Sequence, residues 1–215
     1  PDGKNHGLVM YLDWSGSMSW TILDTLKQVY NLVWFCRKVN IPFRVYGFAS
    51  GFKSGRGYYG YGNDHTHPCM NPKLNQLAIG DDVELLEFLS SKQRTRDLEE
   101  SMKYLFLQCH SFHNSQLGYC GEYSLGGTPL AEALFASRQI VDRLKREDKV
   151  SKVNVICLTD GEASPMNYTA KATYEDSDNI FYAKSLASTY GKVYFLRDRV
   201  TGYTKKIDTC STATT

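Results

Sequence analysis

The chain has 215 residues, of which 42% are hydrophobic and 22% are charged, and its formal net charge is +2. This length and composition fit a globular domain that buries a core of its own. The near balance of charge argues against a nucleic-acid binder, and the lack of a long apolar run argues against a membrane-spanning segment.

Strand and helix patterns alternate in the first part of the chain. An apolar run over 8–13 predicts a strand, and apolar side chains at helical spacing predict a helix over 19–38. Residues 43–48 follow as a second predicted strand, and helical patterns are then predicted at 82–90 and 95–110.

The alternation returns in the second half of the chain. Thr128 and Pro129 predict a helix start, because proline is favoured in the first turn. The β-branched run 153–158 predicts a strand covered on both faces, and a helix near 178–190 and a strand over 192–196 complete the pattern. This repetition predicts an α/β fold, namely a doubly wound, mostly parallel sheet with helices on both faces.

Residues 50–123 interrupt the rhythm of strands and helices. Residues 51–63 are a run of Gly, Tyr, Lys and Ser without a usable period, which predicts a loop. The apolar content of 50–123 is too sparse for a separate core. We therefore interpret 50–123 as an insertion after the second strand, within a single domain that covers 1–215.

Three segments carry oxygen-bearing side chains at predicted strand ends or helix starts. Asp13, Ser15 and Ser17 follow the first strand, Thr128 precedes a helix, and Asp160 follows a later strand. Ligand sites in open α/β sheets lie beyond the carboxyl ends of the strands, so we expect these side chains at one edge. Two carboxylates and three hydroxyls make an all-oxygen ligand set that suits Mg²⁺ or Mn²⁺.

The order Asp13-x-Ser15-x-Ser17, then Thr128, then Asp160 resembles the metal-ion-dependent adhesion site of von Willebrand factor A domains. The resemblance covers the chain apart from 50–123. It implies a doubly wound fold and these side chains as metal ligands. It also implies a protein partner whose Glu or Asp completes the coordination of the metal.

Within that family, three stretches are most similar to the C-terminal domain of the cobaltochelatase T subunit and its relatives, some of them encoded by bacteriophages. They are Tyr-Gly-Phe-Ala-Ser from residue 46, Gly-Gly-Thr-Pro-Leu-Ala-Glu-Ala-Leu from residue 126 and Leu-Thr-Asp-Gly-Glu from residue 158. This similarity implies an adaptor that works beside an AAA+ ATPase and has no catalytic activity of its own, such as a non-catalytic subunit of a metal chelatase. The Gly-, Tyr-, His- and Cys-containing segment 50–123 departs from that pattern and leaves a different client open.

Other interpretations of the same residues stay open. The chain could be a structural scaffold that acts through the 50–123 insertion. A Mg²⁺-dependent phosphatase of the haloacid dehalogenase type would need a general acid where Ser15 stands, and a serine hydrolase would need a Gly-x-Ser-x-Gly motif that is lacking around Ser15 and Ser17. A zinc site is a further alternative, with ligands drawn from His65, His67, Cys69, Cys109, His110, His113 and Cys120.

The six cysteines lack the regular spacing of a small disulfide scaffold, and no secretory signal is recognised. Both observations favour a reducing cytoplasm, which would be the host cytoplasm for a phage-encoded chain. We expect a protein partner, rather than nucleic acid or a membrane, and a homo-oligomer is compatible with the sequence.

Overall fold

The computed structural model describes residues 5–50, 77–78, 83–114, 117–118, 120–161, 163–164, 167–171, 181–185 and 194–207. Within these ranges the protein is an α/β fold with three α-helices and a mixed sheet of four strands. The elements in chain order are β1 (His6–Asp13), α1 (Ile22–Lys38), β2 (Phe43–Ser50), β3 (Leu77–Ala78), β4 (Val83–Ser90), α2 (Thr95–Ser111), α3 (Leu130–Asp148), β5 (Lys152–Leu158), β6 (Asn167–Lys171), β7 (Phe181–Ser185), β8 (Tyr194–Arg197) and β9 (Thr204–Ile207).

The main sheet has the strand order β4-β2-β1-β5. β1 runs parallel to both of its neighbours, β2 and β5, whereas β4 pairs antiparallel to β2. Seven of the eight residues of β1 are buried, as expected for a central parallel strand with cover on both faces. The predicted α/β class and the parallel pairing of the first strands are therefore confirmed.

Alternate side chains of β1 enter two separate parts of the core. Leu8, Met10 and Leu12 pack with apolar residues of α1 and α2, whereas Val9 and Tyr11 pack with residues of α3. Since successive strand residues point to opposite faces, helices pack against both faces of β1. None of the described helices is long and apolar enough to cross a membrane.

The predicted helix over 82–90 is wrong, because β4 occupies 83–90. Its apolar residues fit both a helical stripe and a strand, and a bulge interrupts the strand alternation opposite Val45 and Tyr46. The helix predicted at 95–110 is confirmed as α2. Residues 83–90 thus extend the main sheet at its edge. Residues 51–76 lie outside the described ranges, so the 50–123 insertion stays a prediction.

The last third of the chain differs from the predicted alternation. The range 181–185, predicted as part of a helix, is β7, which pairs antiparallel with β6. The strand predicted over 192–196 is present as β8, but it forms a hairpin with β9. β5 is a strand, as predicted. Val155 on it is 40% exposed, however, so the prediction that both faces of this strand are covered is wrong for the described part of the protein.

Arg44 is a buried cation near the N-terminal end of β2. Its guanidinium Nη2 lies 3.0 Å from Asp148 Oδ2 and 3.3 Å from Glu147 Oε2 at the end of α3. Nη1 donates hydrogen bonds to the carbonyl of Phe43 and to the hydroxyl of Ser91. Arg44 therefore ties α3 to β2 at the edge of the sheet opposite the carboxyl ends of the parallel strands.

Candidate metal centre

Asp13 is the last residue of β1, and its side chain is fully buried. The backbone N–H of Ser15 donates to Oδ1 at 3.1 Å, and the hydroxyl of Thr159 donates to Oδ2 at 2.6 Å. Each carboxylate oxygen therefore has at least one protein donor, which fixes the orientation of the carboxylate at the carboxyl end of the central strand.

The two predicted serine ligands lie directly beside this carboxylate. The hydroxyl oxygens of Ser15 and Ser17 are 3.0 Å apart, with Ser15 buried and Ser17 exposed. Ser17 belongs to a short 3₁₀ helix, Gly16–Trp20, whose Met18 is buried in the core. The loop after β1 is therefore anchored by Met18, while Ser17 remains at the surface.

Backbone pairing brings the Thr128 segment to the same edge. The N–H of Gly126 donates to the carbonyl of Trp14, and the N–H of Gly16 donates back to the carbonyl of Gly126. The next residue, Gly127, exchanges backbone hydrogen bonds of 3.0 and 3.3 Å with Ser50 at the end of β2. Thr128, which is 8% exposed, follows immediately and is held next to the ends of β1 and β2.

Only glycine fits at position 126. A Cβ built on Gly126 would lie 1.9 Å from the backbone carbonyl oxygen of Ser50, far inside van der Waals contact. A side chain here would therefore push the 126–128 segment away from the sheet edge, because the obstacle is backbone and cannot rotate aside.

We predict that Gly126→Ala weakens divalent cation binding at least tenfold and lowers the free energy of unfolding by about 1–3 kcal/mol, the usual cost of overpacking. Titration with Mn²⁺, followed by the paramagnetic resonance signal of the free ion, measures the first effect, and urea unfolding measures the second. Gly118→Ala is the matched control, since a Cβ at Gly118 meets no atom within 4 Å. Equal Mn²⁺ affinity in Gly126→Ala and the wild type would contradict the prediction.

Asp160 lies at the surface two residues beyond the end of β5. Its negative charge acts on Asp13, because Asp160 is among the groups that raise the pKa of the Asp13 carboxyl. Gly161 next to it has a φ of 94°, a conformation that suits glycine, and donates its N–H to the Thr159 hydroxyl. Thr159 thus connects the Asp160 turn to Asp13.

The pKa of Asp13 is raised from its ordinary value mainly because burial disfavours the charged carboxylate. The hydrogen bonds from Thr159 and Ser15 oppose this shift, whereas the charge of Asp160 adds to it. Burial and the charge of Asp160 thus both favour the protonated form of Asp13. A cation bound at this carboxyl group would act in the opposite direction and favour the carboxylate.

The structure brings the sequence-predicted residues to one edge of the sheet in three ways. Asp13, Ser15 and Ser17 are linked by hydrogen bonds, Asp160 acts on Asp13 through its charge, and Thr128 is positioned by the paired glycines before it. Sequence reasoning missed Thr159, the strongest hydrogen-bond partner of Asp13. A hydroxyl directly before Asp160, at the end of a predicted strand, was the available signal.

Among the described residues, no three or more His, Cys, Asp or Glu side chains form a group that could hold a metal ion. The predicted ligand set contains two such side chains and three hydroxyls, so its role in metal binding stays a prediction. For the alternative zinc site, Cys109 is fully buried among apolar residues of the core, whereas Cys120 is exposed. His65, His67 and Cys69 lie outside the described residues.

Comparisons of the chain with protein-family models, with curated proteins and with solved structures found no match.

Proposed function

We propose that the chain is a von Willebrand factor A-like domain that binds Mg²⁺ or Mn²⁺ and uses the ion to recognise a protein partner. Its ligands would be Asp13, Ser15, Ser17, Thr128 and Asp160. The arrangement of the Asp13 carboxylate, buried at the end of the central parallel strand beside two hydroxyls 3.0 Å apart, carries this proposal. The doubly wound completion of the sheet is part of the same proposal.

The ligand chemistry supports a hard divalent cation. Mg²⁺ prefers oxygen ligands in near-octahedral geometry and retains several water molecules. Asp13 and Asp160 would contribute negative charge, directly or through water, and the three hydroxyls would contribute neutral oxygens. The pKa of Asp13 is raised mainly by burial and further by the charge of Asp160, and a cation between the two carboxylates would favour the charged form of both.

The coordination also suggests the chemistry of the partner. Three neutral hydroxyl ligands leave the ion more positive than an all-carboxylate site would, and Ser17 and Asp160 lie at the surface. An incoming carboxylate from another protein would complete the coordination. We propose that this partner is an AAA+ ATPase and that the chain acts as an adaptor subunit of the cobaltochelatase type, without catalytic activity of its own.

For the metal site, we predict that Asp160→Ala abolishes the stabilisation by Mg²⁺ while the protein stays folded. A ligand that binds only the native state stabilises it by about 2.7 kcal/mol at a concentration one hundred times its Kd. The wild-type Tm should therefore rise with MgCl₂ and fall back with EDTA. The Tm of Asp160→Ala should stay the same in both conditions. Asp142→Ala, an exposed acidic residue about 18 Å along α3 from its start, is the matched control.

For the partner, the wild type and both variants would be immobilised and exposed to lysate of the source cell, with Mg²⁺ or with EDTA. Capture of an AAA+ ATPase only by the wild type and Asp142→Ala, and only with Mg²⁺, supports the adaptor role. The same ATPase retained with EDTA and by Asp160→Ala would contradict a metal-bridged contact.

A further inference from the structure

We infer that Trp20, with its neighbour His113, forms an apolar contact surface beside the metal position, which we call the Trp20 ledge. The ledge would select partner segments that carry a large apolar side chain within a few residues of the metal-binding carboxylate. This inference rests on the proposed function, and it adds the class of partner segment that the site accepts.

The position of Trp20 follows from the geometry of the 3₁₀ helix Gly16–Trp20. Such a helix has three residues per turn, so side chains at i and i+3 are eclipsed. Ser17 and Trp20 have this spacing and therefore share one face of the helix. Because the Ser17 hydroxyl lies 3.0 Å from the Ser15 hydroxyl, that face borders the candidate metal site.

Trp20 is not needed to fill the core. Its side chain is 83% exposed, whereas Trp14, Met18 and Ile22 of the same stretch are buried. The ring centroid of Trp20 lies 5.4 Å from that of His113, at an interplanar angle of 46°, so one side of the indole is supported. An exposed, supported tryptophan is the type of side chain that most often dominates a protein–protein interface.

The backbone under the ledge is held in place. The N–H of Thr21 donates to the carbonyl of Met18 at 2.9 Å, and the Thr21 hydroxyl donates to the same carbonyl at 3.3 Å. Met18 itself is 3% exposed in the core. Trp20 is thus presented from an anchored turn, which lowers the entropic cost of burying it against a partner.

The charge of the bound ion favours an apolar rather than a cationic side chain of the partner on the Trp20 ledge. The residual positive charge of the bound ion would repel a Lys or Arg close to the carboxylate, and a second acidic residue would compete for the ion itself. A large apolar side chain meets neither penalty and removes exposed indole surface from water. We therefore commit to a protein segment with one acidic residue and a nearby aromatic or aliphatic residue.

The test uses short random peptides displayed on phage, selected on the immobilised full chain with Mg²⁺ and eluted with EDTA. We expect selected peptides to share a carboxylate with a large apolar residue at a fixed spacing. Synthetic versions should then bind Trp20→Ala roughly thirtyfold more weakly than the wild type, which is the loss typical of a dominant interface residue. Trp34→Ala, which removes a half-exposed tryptophan from α1, should bind them like the wild type.

Mn²⁺ titration and the Tm of each variant show whether weaker peptide binding comes from the lost contact at Trp20, from weaker metal binding or from lower stability. Trp20→Ala should bind Mn²⁺ like the wild type and unfold at the same temperature. Equal peptide affinity of Trp20→Ala and the wild type, or selected peptides without a shared apolar residue, would overturn the inference and leave the metal-dependent function intact. Absence of both Mn²⁺ binding and EDTA-eluted peptides in the wild type would overturn the inference together with the proposed function.

Discussion

Replacing Trp14 with alanine should lower the free energy of unfolding by about 3–5 kcal/mol, the usual cost of truncating a fully buried tryptophan. The Trp14 indole is completely buried and packs edge-on against Phe88 of β4 and against Phe112. Its Nε1–H donates to the carbonyl of Tyr123 at 2.9 Å. This side chain joins the loop after β1 to β4 and to the 120–123 segment.

Trp14→Phe separates packing from hydrogen bonding. Phenylalanine retains an aromatic ring, and the Tyr123 carbonyl keeps a second donor, since Gln108 Nε2 donates to it at 3.0 Å. The lost bond therefore does not leave a buried carbonyl unpaired, and we expect a loss of only about 1–2 kcal/mol.

Urea unfolding of the wild type and both Trp14 variants, with and without Mg²⁺, measures these differences. The Mn²⁺ affinity of Trp14→Ala should also fall, because the carbonyl of Trp14 pairs with Gly126 and positions the Thr128 segment. A loss below about 1 kcal/mol for Trp14→Ala would show that the loop after β1 is not anchored through this indole.

Replacing Arg44 with alanine should lower the free energy of unfolding by about 3 kcal/mol or more, because it leaves carboxylates near the end of α3 without their buried cation. The Arg44 side chain is 6% exposed and that of Asp148 is 15% exposed. The side chain also has two further hydrogen bonds at the start of β2, to the Phe43 carbonyl and the Ser91 hydroxyl.

Arg143→Ala is the control, because it removes a different arginine from the same carboxylate cluster. Arg143 lies 2.8 Å from Glu147, but its side chain is 65% exposed, so its removal should cost much less than the removal of Arg44. Arg44→Lys should lie between the two, because an ammonium cannot reproduce the forked contacts of a guanidinium. The urea concentrations at the midpoints of unfolding give the order of stability of these variants.

Equal losses for Arg44→Ala and Arg143→Ala would contradict a dominant role for the buried cation. Mn²⁺ affinity should change little in either variant once folded, since the Arg44 cluster lies at the edge of the sheet opposite Asp13. A selective loss of Mn²⁺ binding in folded Arg44→Ala would indicate that the two edges are coupled.

Local sequence was sufficient to predict the secondary-structure elements that surround the candidate site. The spacing of Ile22, Leu26 and Val29 identifies α1, because it matches the period of a helix. The apolar run before Asp13 identifies β1, because it is short and unbroken, as in a buried strand. The three segments of the candidate site were recognised because each stands directly at a strand end or helix start, where a short motif and its context are read together.

The tertiary structure alone decided the features that depend on contacts between distant segments. β4 was mistaken for a helix, because the bulge in its pairing with β2 displaces Phe88 from the strand alternation, and its apolar residues also fit a helical face. The antiparallel pairs β6–β7 and β8–β9 likewise carry aromatic and polar residues without a decisive period.

The contacts that hold the site residues in place also could not be predicted from local sequence. Thr159 reaches Asp13 across 146 positions of the chain, and Trp14 reaches Tyr123 across 109. Gly126 is required because the carbonyl of Ser50 occupies the place of its side chain. A sequence motif names the groups that could bind an ion, whereas their orientation comes from long-range hydrogen bonds and close backbone contacts, which have no local pattern.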